Sequence, residues 1–347
     1  MSAVGMRVDR WPPAGRCAAA LSVGLLLVLA FLPLVASGLV VDKLTTLLIY
    51  MLLAAMWNLL AGYAGLVSVG QQAFFGVAAY FALRLVDGGI TPFPALLAGA
   101  LGAALLAWPL SFFLLRLKDG EFAIATWVVA EVIRILVMLD PLVQGETGTS
   151  LLALNAYDPE LRRNLGYWFA LAGLGAMAIA SFALLRSRVG AAAQAIRDDD
   201  EAAASIGVRV LRTRQAIFVL AALGSALAGV AWLASAITFL PRTNFGVQWT
   251  VLMLFMVLVG GLRTFEGPFL GALLLFALQE LFGDFGVWYL AGLGGVALAF
   301  ALYLPEGLWG WMSARWGWTF LPTGVQLTPA DTAHSTPSLV PSPRRLP

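Results

Sequence analysis

Three groups of polar residues interrupt the apolar runs of this 347-residue sequence, and each could do a different kind of work. The first is Ser68, Gln71 and Gln72, set among glycines in 62–76 and followed by Phe74 and Phe75. Hydroxyls and amides of this kind can line a passage for a small solute, and two phenyl rings can plug it. The same small residues serve equally well for close helix packing. The second group is Glu131 and Arg134, three positions apart and so on one face of a helix. An ion pair inside an apolar run either fixes packing, the simpler reading, or senses solute and gates. The third group is Arg197, Asp198, Asp199, Asp200, Glu201, Ala202 and Ala203, closed by Gly207.

Covalent chemistry is poorly provided for. The one cysteine, Cys17, excludes an internal disulfide and a cysteine metal cluster, and the one histidine, His334, stands in a Pro/Ser/Thr-rich tail. Ser68 has Leu66 where a nucleophile elbow needs glycine. No phosphate-binding Gly-x-x-x-x-Gly-Lys-Ser/Thr run occurs, so any ATP chemistry must come from another chain. A net charge of +2 without a basic patch gives no case for nucleic-acid binding. The residues point to binding and movement, with no enzyme, metal or bound cofactor in this chain.

The elements that must position these groups are membrane helices. Hydrophobic residues make up 61% and charged residues 12%, against about 45–50% and about 25% in soluble domains. Apolar runs bounded by polar or turn residues predict about ten spans, at 18–36, 44–61, 65–83, 93–115, 122–139, 167–185, 215–237, 248–262, 267–282 and 287–304. The run 65–83 is rich in Gly and Gln, and is expected to be short or broken. The fold class is therefore all-α and polytopic, with 1–17 as an N-terminal segment and 18–310 as the membrane domain. The Pro/Ser/Thr-rich stretch 319–347 is expected to be disordered. Of the 21 Lys and Arg, 15 fall on the side that holds both termini and 5 on the other. Even without the distal Arg344 and Arg345 this predicts cytoplasmic termini. A cleaved leader is the weaker reading of the first run, because Val35-Ala36-Ser37 fits the small-x-small pattern poorly.

The longest basic loop, 186–214, falls on the predicted cytoplasmic side. Its three aspartates can cap a helix, the alanines propagate it, and Gly207 can take the left-handed conformation that ends it. One or two short helices are expected there. They would form either a solvated connector or a rigid knob for a partner.

The segment 195–208 resembles the EAA-type coupling loop of ABC importer permeases, in the version found in branched-chain amino acid permeases of the LivM type. The run 62–76 resembles the same family's signature after its second span. The Gly-Gly…Gly-Pro…Gly-Ala run at 260–272 resembles its late element. The three occur in the family's order, and the likeness covers roughly 40–310. It implies a permease subunit of a bacterial inner membrane, paired with a second homologous permease. Two ATPases using ATP and Mg would dock on 186–214, and an external binding protein would deliver branched-chain or related amino acids. Gln71 stands where many relatives carry His, and Leu66 where Gln is common, which leaves the cargo open. The alternatives are urea or short amides as cargo, an ATP-independent carrier or channel, or an assembly subunit without a pathway.

Overall fold

The computed structural model describes residues 6–9, 13–316 and 326–329. The chain begins with β1 (Met6–Asp9), α1 (Pro13–Phe31) and α2 (Gly38–Asn58), and α2 widens into a π-helical turn at Leu59–Tyr63. Then come α3 (Gln72–Asp87), α4 (Pro92–Leu114), α5 (Asp119–Met138), β2 (Thr149–Ser150) and α6 (Pro159–Leu185). The 186–214 loop holds α7 (Arg188–Asp198) and α8 (Asp200–Ser205). It is followed by α9 (Val210–Ala236), β3 (Thr238–Phe239), α10 (Pro241–Asn244), α11 (Gln248–Gly260) and α12 (Gly267–Phe282). The last elements are α13 (Val287–Tyr303), α14 (Gly307–Trp316) and β4 (Gln326–Pro329).

Each of the ten predicted spans coincides with a helix. Among the described residues, eight helical segments are long and apolar enough to cross a membrane. The two exceptions are α3, which has 16 residues, and α5, which carries Asp119, Glu121, Glu131 and Arg134. The short α3 comes from a break in the predicted run 65–83, whose first seven residues are not helical. Gly65 takes φ +71° and ends α2, and the Leu66 N–H reaches back to Leu60 O at 3.0 Å. Of the stretch 319–347, only β4 is described, and it pairs antiparallel with β1. The rest of that expected disordered tail, with His334, lies outside the described residues.

Most of α2 and α9 is buried, whereas α1 and α13 are almost wholly exposed. An apolar helix with an apolar exposed surface suits a lipid solvent, because every backbone polar group is satisfied within the helix. The seam among α3, α4 and α9 is built of small residues: Ala78, Ala82, Ala103, Ala107, Ala222 and Ala226 are all fully buried or nearly so. Backbones approach closely here. A Cβ on Gly229 would lie 2.1 Å from Phe75 O, and one on Gly99 would lie 2.6 Å from Ala78 O. Large rings adjoin this seam, where Phe75 packs on Trp249 at 4.5 Å and Trp249 on Trp232 at 5.1 Å between ring centroids.

At the end of the bundle opposite the 186–214 loop, polar contacts tie the helices together. Lys43 pairs with Glu280, and Arg163 Nε lies 3.2 Å from Asp42 Oδ2. Asp140 accepts from Tyr80 and, at 2.6 Å, from Arg84 Nη2. Burial pushes the Asp140 carboxyl up, but hydrogen bonds from Tyr80, the Leu142 amide and Arg84 more than reverse this. Its pKa therefore sits below the ordinary value.

Candidate functional site

Asp199 has an extended backbone and accepts from the Glu201 and Ala202 amides at 3.0 and 2.9 Å, starting α8. Gly207, at φ +90°, ends it. The Gly207 N–H donates to Ala204 O at 3.0 Å and the Val208 N–H to Ala203 O at 3.1 Å, the paired bonds of a Schellman cap. This six-residue helix has no length to spare, so both ends of it are fixed by the residues the sequence singled out. Ala203 and Ile196 face inward, while the Glu201 side chain is 88% exposed, with Lys118 at 4.0 Å. Ala202 and Ile206 are exposed beside Glu201.

The preceding helix is bolted to the bundle. Ser187 caps α7 by accepting from the Val189 N–H at 3.1 Å. Ala193 is buried in a cluster with Leu60, Tyr63 and Leu66, and Ile196 is buried as well. Arg197 donates from Nη1 to Gly62 O at 3.1 Å and from Nη2 to Asp198 Oδ1 at 2.8 Å. Asp200 lies 3.7 Å from Arg214. A cleft of about 330 Å³ separates α7 and α8 from the α4–α5 turn, lined by Gly65, Leu66, Lys118, Asp119, Arg197 and Asp198 among others. The loop is thus a shaped surface continuous with the first polar group.

That group is fully buried. Ser68, Gln71 and Gln72 are each 1–2% exposed. Without a helix to satisfy it, the 65–71 backbone uses side chains: Trp57 Nε1 donates to Ser68 O at 3.0 Å, and the Val69 N–H donates to Thr126 Oγ1 at 3.2 Å. Gly70 must be glycine, since its Cβ would lie 2.0 Å from Thr126 O. Gln72 donates to Val69 O at 2.9 Å and accepts from Thr250 Oγ1 at 2.5 Å, linking α3 to α11. Gln71 Oε1 is buried without a hydrogen-bond partner, which costs about 1–3 kcal/mol unless something binds there. Phe74 and Phe75 do not face one shared opening. Phe74 packs on Phe218 at 5.6 Å, and Phe75 on Trp249 in the other core cluster.

Glu131 and Arg134 meet at 2.5 Å, and Arg134 also reaches Glu146 at 3.2 Å in the loop after α5. The pair therefore ties a loop to its own helix and does not bridge two spans. The Glu131 side chain is 48% exposed on the outer surface of α5. A charged group at this depth is costly against lipid, so this face suits protein or water. A charge-swapped Glu131→Arg, Arg134→Glu protein would set its new glutamate beside Glu146. It is expected to recover function only partly, and to recover fully when Glu146→Arg is added, as read by uptake and by thermal melting. No gain from the third change would count against the triad.

Sequence reasoning missed Asn58, Thr126, Thr250 and Glu146. A lone amide in an apolar run was the available signal for Asn58. The other three act through partners 12, 57 and 178 residues away.

Residues 39–305 match the family described as Branched-chain amino acid transport system / permease component. The chain is similar to the High-affinity branched-chain amino acid transport system permease protein LivM of Escherichia coli (strain K12), at 27% identity over 82% of this chain and 73% of that protein. It is also similar to the protein of the same name from Salmonella typhimurium, at 26% identity with the same coverage. With a match that spans most of its length and an all-helical bundle suited to a membrane, the chain belongs to the branched-chain amino acid transport system permease family.

Proposed function

We propose that the chain is the membrane-spanning permease subunit of an ATP-driven ABC importer in a bacterial inner membrane. Its loop end would face the cytoplasm, and it would translocate branched-chain or related amino acids handed over by an external binding protein. Two ATPase subunits would use ATP and Mg and dock on the surface formed by α7 and α8. A second, homologous permease would cover the charged face of α5. The observation that carries this reading is the construction of the loop. A knob held by Asp199 and Gly207 protrudes with Glu201 exposed, yet is fastened through Arg197 to the segment leading to Gln71 and Gln72. A carrier that works alone has no use for such an outward surface. A load on the knob would be felt by the polar segment, whereas the chain supplies no phosphate-binding loop to generate that load.

The test is uptake into proteoliposomes holding both permeases and the ATPases, with binding protein and labelled leucine outside and ATP inside. Uptake is expected only with hydrolysable ATP and all four kinds of subunit, and leucine should compete far better than urea or formamide. Equal uptake without the ATPases would establish a channel or secondary carrier, and stronger competition by urea would move the cargo to short amides.

A further inference from the structure

The π-helical turn at Leu59–Tyr63 is gripped on two sides. On one side, Arg197 donates to Gly62 O, and its Cα lies 3.4 Å from where a Gly65 Cβ would be. On the other, Asn58, only 2% exposed, uses both ends of its amide. Nδ2 donates to Thr264 O at 2.8 Å, and Oδ1 accepts from the Arg263 N–H at 3.1 Å. A backbone donor and a backbone carbonyl fix which way the amide points. The turn that Asn58 holds has a set shape of its own. Arg263 sits at φ +69°, and Thr264 Oγ1 donates to Gly261 O at 2.7 Å and accepts from the Gly267 N–H at 3.1 Å. Only glycine fits at 62, because a Cβ there would lie 2.3 Å from Asn58 Oδ1 and 3.0 Å from Arg263 N.

The junction also contains a void of about 10 Å³, lined by Asn58, Tyr63, Ser181, Phe265 and Phe269 among others. Ser181 Oγ is buried and has no hydrogen-bond partner. That volume is close to the minimum for one water, and the hydroxyl supplies a polar contact for it. A π-turn, rare in itself and common at functional sites, therefore sits between two fastened surface segments and beside a water-sized gap. The chain then runs directly into 65–71 and the unpartnered Gln71 Oε1.

We propose that Asn58 is a positioning residue. Its two hydrogen bonds lock the 261–267 turn to the end of α2, opposite α7, so that the two surface segments jointly set the position of the 65–71 segment. What drives the surface rests on the importer reading, but the lock itself can be tested without transport.

The test uses the full-length protein in membranes with Cys17→Ser, carrying a reporter cysteine at Gln71→Cys or, as control, at the fully buried Ala103→Cys in α4. Asn58→Leu is expected to raise the rate of modification by a water-soluble maleimide at position 71 about tenfold, from the loss of two buried hydrogen bonds, with no change at 103. Asn58→Asp keeps the acceptor for the Arg263 N–H and should give a smaller rise. It is also the arm to read if the leucine variant fails to accumulate. An unchanged rate at 71, or equal rises at 71 and 103, overturns the proposal. In the assembled transporter, Asn58→Leu should lower solute moved per ATP hydrolysed while hydrolysis continues; parallel loss of both overturns it as well. A wild-type assembly without ATP-dependent uptake would instead defeat the importer reading and leave the thiol result standing.

Discussion

Gly207→Val is expected to cut ATP-driven uptake at least about tenfold while the protein still reaches the membrane in normal amount. The reason is conformational. A Cβ at 207 meets nothing within 4 Å, so no clash arises, but φ +90° is a value that a β-branched residue strongly resists. Leaving it breaks the bonds from the 207 and 208 amides to Ala204 O and Ala203 O, and a six-residue helix has no other means of ending in place. Because α8 lies outside the bundle, insertion and melting should hardly change. A graded series sharpens the result. Gly207→Asn, which tolerates the left-handed region, should keep most of the uptake, with Gly207→Ala in between. Equal uptake across asparagine, alanine and valine would remove the docking surface from the mechanism.

The second large effect falls on folding. Gly229→Val should fail to accumulate, and Gly229→Ala should melt earlier in detergent by an amount equivalent to about 1–3 kcal/mol. A Cβ at 229 would sit 2.1 Å from Phe75 O and 2.7 Å from the Phe75 carbonyl carbon and Cα, all backbone atoms that cannot rotate away. Separating α3 from α9 would also disturb Phe75 on Trp249 and, at the start of α3, the hydrogen bond between Gln72 and Thr250. Gly294→Ala in α13 is the control. Nothing lies within 4 Å of its Cβ, so the change should be neutral or slightly stabilising through helix propensity. Matching melting curves for the two alanine variants would show that the seam tolerates a wider spacing.

The pattern of apolar runs was enough to read ten helices from the sequence, because a lipid solvent demands length and apolarity whatever the tertiary packing. The ends of α8 were also legible, since Asp199 and Gly207 act on amides and carbonyls within a few residues of themselves. Even the break in 65–83 could be anticipated, because glycine and glutamine are poor material for a plain span. What the sequence hid is long-range. Nothing near Asn58 announces Thr264, and nothing near Arg134 announces that a loop glutamate will reach it. The packing of Phe74 and Phe75 into two separate clusters follows from where α9 and α11 lie, which local pattern does not encode.

The alanine and glycine seam among α3, α4 and α9 bears on motion as well as on stability. Helices that interlock through long side chains must re-sort many rotamers before one can slip past another, so they move in coarse steps. Short side chains present nearly smooth cylinders to each other, with few torsions to rearrange. A shift of α3 against its neighbours would therefore call for few rotamer changes along the seam, and would fall instead on the Phe75–Trp249–Trp232 ring contacts and on the segment that holds Gln71 and Gln72.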